Sequence, residues 1–477
     1  MRIRPLMVKQ LTIALLAVVP TVHAAPVSFN DAWHTVVTTN DGLAADRASV
    51  EQAQYMQDAA KDLYLPKVTI GANYTRLDND IKLSPSDVFD SMPASNTAAG
   101  QALNKVIADL TQATGTDFNS LFTANISDRD VFTSSIRAIW PIFTGGRINA
   151  AQDIAQGKTD QAKYILAMQQ QAKFEDLSRF YFGVVLAKNV LQTRTEVENG
   201  LKRHYQDAVK LEQQGQIARV ERLQAQAAYD KAKVERQKSL RDLEIAQVAL
   251  TQLLKQSTPA TPSTGLFINN SLPPMSAFVD KTLATYPGLR ILDAKRKQAG
   301  GLIDVEKGKY YPEVYVYGDY NLHDSGSLAA TMAPDWAVGV GVSVPLIDNS
   351  GRSGKLSAAH SMVTQVNHLQ AQAQQDLTVL VEKTYREAKQ ALEEYNGLAS
   401  SLSLAHENTR LREKAFGQGL STSLDVVDAE LFLASIKTQR LAAAYQYVAC
   451  LTRLLAISGE MNTFKNYQQH QGIEVKL

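Results

Sequence analysis

The residue types that carry enzymatic chemistry are scattered in this chain. Its eight histidines include His360 and His368, eight apart, and no His-Glu-x-x-His run or other metal-ligand spacing occurs. Gly351-Arg352-Ser353-Gly354-Lys355-Leu356 only superficially matches a phosphate loop. Its spacing differs, and leucine stands where serine or threonine is required. No nucleophile-elbow pattern is present. Cys450 is the single cysteine, so there is no intrachain disulfide and no cysteine-rich metal site. It lies in an apolar helical stretch and reads as a small buried residue. Asp425 and Asp428, three apart, share one face of a helix. Acids at a helix N-terminus are also favoured by the macrodipole. The expectation is a protein that is not an enzyme and holds no cofactor.

The elements that position these residues are of two kinds. Prolines are absent from 142–258 and after Pro345, and both stretches are rich in strong helix formers. Arg147 to Gln213 alone would extend about 100 Å at 1.5 Å per residue. Ile165, Ala172, Leu177, Phe180, Val184 and Leu191 recur at spacings that suit helices packed side by side. Four short segments alternate with period two. They run through Val68, Ile70, Ala72 and Tyr74; Phe132, Ile136, Ala138 and Trp140; Val314, Val316, Gly318 and Tyr320; and Trp336, Val338, Val340, Val342 and Val344. One apolar face with aromatic ends suits a transmembrane barrel, and a half-exposed soluble sheet has the same alternation.

The chain begins with Arg2, Arg4 and Lys9, then an apolar run over 11–19, then Val22-His23-Ala24. That is the pattern of a signal peptide over 1–24, too short to span a bilayer. No cysteine follows it, so no lipid anchor is expected. No later segment has about 18 consecutive apolar residues. With 49 Lys+Arg against 48 Asp+Glu, no basic excess attracts nucleic acid.

The chain repeats itself. Leu65-Pro66-Lys67-Val68 returns as Tyr311-Pro312-Glu313-Val314, an offset of 246. Trp140-Pro141-Ile142-Phe143 returns as Val344-Pro345-Leu346-Ile347, and Gly215-Gln216-Ile217-Ala218 as Gly419-Leu420-Ser421-Thr422, both at 204. The division is then 25–256 for the first repeat, 257–276 for a proline-rich linker, 277–460 for the second repeat and 461–477 for a C-terminal tail. Each repeat supplies two strands. Four strands cannot close a barrel, and open edges in lipid leave backbone groups unpaired. Three chains at four strands each would make twelve, an even number within the usual range.

This arrangement resembles the TolC family of outer-membrane efflux proteins over nearly the whole exported chain. The resemblance is carried by Tyr64-Leu65-Pro66-Lys67-Val68, by Trp140-Pro141-Ile142-Phe143-Thr144-Gly145-Gly146-Arg147, by Thr285-Tyr286-Pro287-Gly288-Leu289-Arg290, and by the run from Gly419 to Ala429 with its Leu424-Asp425-Val426-Val427-Asp428. It implies an α+β membrane protein: a homotrimer forming a 12-stranded β-barrel in outer-membrane lipid, continued by a long α-helical barrel into the periplasm. It implies the channel of a tripartite efflux or type I secretion system. Such a channel conducts substrates from an inner-membrane pump, through a periplasmic adaptor, to the exterior.

The resemblance makes the turns at Gly215 and Gly419 the periplasmic tips, and Asp425 and Asp428 a constriction ring of the kind that selects cations. In the family a tyrosine and an arginine on one hairpin bond an aspartate on the other. The matching positions are Phe416, Ser421 and Glu221, so only the acid is kept. Arg219 and Arg222 flank Glu221, and an altered gate would pair them with Asp425 or Asp428. The segment 79–130, with a short helix in 97–112, lengthens the first strand connection and reads as a tolerated exterior loop; a lid or receptor role is the alternative. Two other classes share the long helices: a periplasmic coiled-coil adaptor, against which the paired strands speak, and a poreless envelope spacer, against which the aspartate pair speaks.

Overall fold

The computed structural model describes residues 26–93, 97–324, 331, 334–347 and 349–475; the expected signal peptide lies outside the described residues. The first half runs α1 (Phe29–Thr39), α2 (Asp41–Lys61), β1 (Lys67–Arg76), β2 (Ile81–Leu83), α3 (Pro85–Ser91), α4 (Ala98–Thr114), α5 (Phe118–Leu121), β3 (Ala124–Ser127), β4 (Asp130–Phe143), α6 (Arg147–Gln213) and α7 (Arg219–Leu253). The second runs β5 (Phe267–Asn269), α8 (Met275–Thr285), α9 (Pro287–Gly308), β6 (Glu313–Asp324), β7 (Trp336–Ser343), α10 (Arg352–Phe416), α11 (Ser423–Ile457), α12 (Phe464–Gln469) and β8 (Gly472–Glu474). The duplication is visible in the element bounds. α1 and α8 have 11 residues each and start 246 apart. α7 and α11 have 35 residues each and start 204 apart.

The chain divides into two compact units. One comprises Val50–Ala162 and Leu292–Leu369. It holds a four-stranded antiparallel sheet in the order β1-β4-β6-β7. The register sets Val68 opposite Ala138, Ala138 opposite Gly318 and Gly318 opposite Val338, so all four strands put one face in common. That face carries Val68, Ile70, Tyr74, Trp336, Val340 and Val342. It is bare in the single chain: Val338 is 69% exposed and Val340 67%. The opposite face is polar, with Arg137 donating to Asp319 across the strands at 2.6 Å. Pro141 has no N–H to give, and the β4–β6 register shifts between it and Phe143. Among the described residues β1 and β7 each have one partner strand, which leaves both outer edges open.

The 79–130 connection holds more than the short helix expected of it. α4 starts at Thr97, whose side chain accepts from the Gly100 N–H, and ends at Gly115 in the left-handed region. The connection also contains α3, closed by a Ser84–Asp87 capping box, and the β2–β3 pair.

The other unit comprises Met1–Ser49, Lys163–Ile291 and Gln370–Leu477. Its core is a helix seam. Phe174, Leu177, Tyr181, Val184 and Val185 of α6 are buried with Leu441, Tyr447, Val448, Leu451, Leu454 and Leu455 of α11. Burying each such side chain is worth about 1.5–3 kcal/mol. Leu177 and Val184 fall where the sequence spacing puts them. Ala172 is exposed and Gln171 beside it is buried, because the seam turns on Phe174 and Tyr181. The 257–276 segment is partly ordered into this core. Its β5 is buried and pairs antiparallel with β8 of the C-terminal tail. The Tyr181 hydroxyl donates to the Val27 carbonyl and accepts from the Ser263 and Thr264 N–H groups, tying three distant segments together.

Candidate functional site

The two hairpin turns are built alike. α6 ends with Gly215 at φ 72, whose N–H bonds the Glu212 carbonyl while Gln216 N–H bonds that of Leu211. α10 ends with Gly419 at φ 73, whose N–H bonds Phe416 while Leu420 N–H bonds Ala415. A left-handed residue with these two closing bonds terminates a helix and satisfies its last carbonyls, and glycine takes that conformation without a Cβ penalty.

The helices that return differ in their caps. α7 starts at Ala218 with no side-chain cap. α11 starts with a capping box: the Asp425 N–H donates to Thr422 Oγ1 at 3.3 Å, and the Thr422 N–H donates to Asp425 Oδ2 at 3.0 Å. The hydroxyls of Thr422 and Ser421 donate to the same oxygen at 2.8 and 3.2 Å, and Arg412 Nη1 lies 3.2 Å from Oδ1. The Thr422 N–H and hydroxyl, then Ser421 and Arg412, hold the Asp425 carboxyl below the usual carboxylate range. Asp428, one turn on, is exposed. It lines a groove of about 500 Å³ with Leu424, Val427 and Leu431 of α11 and Arg194 and Lys231 of the first hairpin. Asp425 is thus engaged in its own helix start, while Asp428 faces open space.

The gate positions come together in a different way from the expected pairing. Glu221 Oε2 accepts the Ser423 backbone N–H at 2.6 Å, so an acid of the first hairpin caps a helix of the second. Ser423 Oγ is 2.7 Å from His204 Nε2. His204 stacks edge-on against Phe416, ring centroids 4.4 Å apart. Phe416 is buried with Ala208, Ala225 and Val426. Burial lowers the pKa of His204 from the usual histidine value, and Asp207 and Glu221 oppose that shift.

The expected ion pairs of Arg219 and Arg222 with Asp425 or Asp428 are not those formed within the chain. Arg222 Nε turns back along its own hairpin to Glu212 Oε2 at 2.5 Å, and its Nη1 donates to Gln226. Arg219 is exposed, with no ion pair among the described residues. Arg412 takes the place assigned to them at Asp425. The reason is reach: Arg222 lies one turn inside α7 and faces the end of α6, whereas Arg412 lies one turn before the end of α10, opposite the start of α11.

Sequence reasoning missed His204, Arg412 and Ser423. The Thr422-x-x-Asp425 spacing before an apolar run is the signal that identifies the cap. His204 carries no local signal, because its partner is 219 residues away. Among the described residues no group of His, Cys, Asp or Glu side chains could hold a metal ion, and no helix is long and apolar enough to cross a membrane.

The family model described as outer membrane efflux protein matches residues 35–255 and 278–460. Protein CyaE of Bordetella pertussis is 22% identical over 337 residues, covering 69% of this chain and 70% of its own. The solved outer membrane protein VceC of Vibrio cholerae superposes with a TM-score of 0.71 at 13% identity, covering 91% of this chain and 96% of that one. The open-state outer membrane channel MtrE of Neisseria gonorrhoeae gives 0.67 at 16% identity, covering 91% and 89%. The family match takes in both repeats, including all four long helices and the four-stranded sheet, and the chain belongs to the outer membrane efflux protein family: it is an efflux channel of the outer membrane.

Proposed function

We propose that three copies of this chain close their sheets into one 12-stranded barrel and their helices into one tunnel, which forms the outer duct of a tripartite efflux or type I secretion machine. The observation that carries this is the sheet β1-β4-β6-β7, with two open edges and one bare apolar face. In lipid each open edge leaves unpaired backbone groups at several kcal/mol apiece, and copies of the same sheet satisfy both edges at once.

The hairpin ends at Gly215 and Gly419 are the periplasmic mouth of this duct. Asp425 and Asp428 ring its narrow end, and Glu221, Phe416 and Ser421 hold the closed form, with Arg219 and Arg222 on its rim. The exposed apolar residues of the hairpin tips, Leu424 among them, receive a periplasmic adaptor, which joins the duct to an inner-membrane pump. Exposed Val220, Leu223 and Leu420 continue that apolar surface at the tip. Purification in mild detergent with crosslinking tests the reading. A heat-modifiable trimer in the membrane fraction, carrying an adaptor crosslinked near Leu424, is expected; a monomer that needs no detergent overturns it.

A further inference from the structure

α6 has a glycine, Gly200, within its interior about four turns before its C-terminal end, where glycine weakens a helix. The reason is a close approach. A Cβ at that position would meet Cδ of Glu430 at 3.0 Å and Oε2 at 3.3 Å, with Oε1 nearer still. The carboxyl group of Glu430 therefore sits on the α6 backbone, in a notch that only glycine provides. Glu430 is 8% exposed, and among the described residues it has no ion-pair or hydrogen-bond partner. It lies five residues beyond Asp425 on α11, and α10 closes over it where Thr409 Oγ1 donates to the Ala429 carbonyl at 3.1 Å.

The charged groups around it are mixed. α6 contributes Arg203 and Glu196, α10 contributes Glu413, and α11 contributes Lys437. Lys437 is already committed to Glu196 at 2.6 Å. Burial, reinforced by Glu413, pushes the Glu430 carboxyl up to about 7, against the pull of Arg203 and Lys437. The histidines of the same helices, His204 and His406, are both held below the usual histidine value, mainly by burial.

We propose that Glu430 is a positioning residue whose protonation sets how tightly α11 packs on α6, and through α11 where Asp425 and Asp428 stand. This rests on the reading of the tip as the constriction. A neutral carboxyl is tolerated in this largely buried notch better than an ionised one. Because the packed form holds its proton more tightly, the contact is complete below pH about 4.5, the carboxyl's ordinary value, and is lost as pH rises to about 7. The duct therefore tightens in acid and loosens toward neutrality. His204 and His406 work in the opposite sense, since they gain charge as pH falls, so neither produces this slope.

The test measures two things on the purified full-length protein between pH 4.5 and 8. One is single-channel conductance in planar bilayers. The other is amide hydrogen exchange over the first two turns of α11, corrected for intrinsic rate. Wild type should rise in both, exchange by about tenfold or more. Glu430→Gln should flatten both at the acid level. Gly200→Ala, which evicts the carboxyl, should flatten both at the neutral level. A Glu430→Gln protein that keeps the wild-type exchange slope overturns the assignment. A wild type that forms no channel, with Glu430→Gln still flattening exchange, rejects the conduit reading and leaves Glu430 as the titrating group.

Discussion

The carboxylate of Glu221 accepts the backbone N–H of Ser423 at 2.6 Å, so the two hairpins are joined at the first free donor of α11. Helix starts leave such donors unsatisfied, and α11 has its second cap from Thr422 only. Glu221→Ala should cost about 1–2 kcal/mol of cap stability. Glu221→Gln keeps an acceptor and should cost less than half of that. The checks are amide exchange at Ser423 and conductance in planar bilayers, both rising in the alanine variant. Unchanged conductance with faster exchange would show that the bond caps a helix without holding the mouth.

Much of this arrangement was legible in the residues and some was not. Long helices, alternating strands and the two offsets of 246 and 204 follow from proline placement and period, which are local signals. The turn at Gly419 and the Thr422–Asp425 cap are local too. The bonds His204–Ser423, Glu221–Ser423 and Arg412–Asp425 depend on how two hairpins face each other, and no spacing encodes that. The expected pairing of Arg219 and Arg222 with Asp425 or Asp428 depends on the same facing, and within the chain Arg222 runs back to Glu212. Gly200 was invisible, because its meaning is the Glu430 carboxyl lying against it.

Asp425 and Asp428 make separable predictions. The Thr422 N–H and hydroxyl depress the Asp425 pKa. A depressed carboxyl stabilises the fold above its ordinary value of 3.8 and loses that contribution only as pH falls through its own lower value. The cap should therefore persist at pH 5, read from the carboxyl ¹³C shift of labelled Asp425. Asp428 has no such duty, so Asp428→Asn should leave helix stability unchanged. It should still reduce cation preference, read as reversal potential across a salt gradient. An unaltered reversal potential would remove Asp428 from the conduction path.

The sheet predicts opposite tolerance on its two faces. Val340 belongs to the bare apolar face, and Ala337 on the same strand shares the polar face with Asp319. Arginine on a lipid-facing barrel position costs about 2–4 kcal/mol at the bilayer midplane. Val340→Arg should abolish the heat-modifiable trimer band in the membrane fraction. Ala337→Arg should leave it and change conductance instead. Equal tolerance of both would mean that the apolar face is not the lipid face.

The repeat also locates a strained residue. α7 and α11 end in the same way, yet the left-handed position after α11 is Gly459 at φ 73 and its counterpart after α7 is Lys255 at φ 53. Lys255 is the one non-glycine residue with positive φ among the described residues. A side chain in that conformation costs roughly 1–2 kcal/mol. The Lys255–Asp41 ion pair at 2.7 Å is exposed and returns under about 1 kcal/mol. Lys255→Gly should therefore raise the thermal midpoint in detergent despite losing that pair. Gly459→Ala should lower it, since an added Cβ meets Thr285 Oγ1 at 3.0 Å as well as the backbone penalty. Two shifts of the same sign would show that the ion pair, rather than the backbone, governs the end of α7.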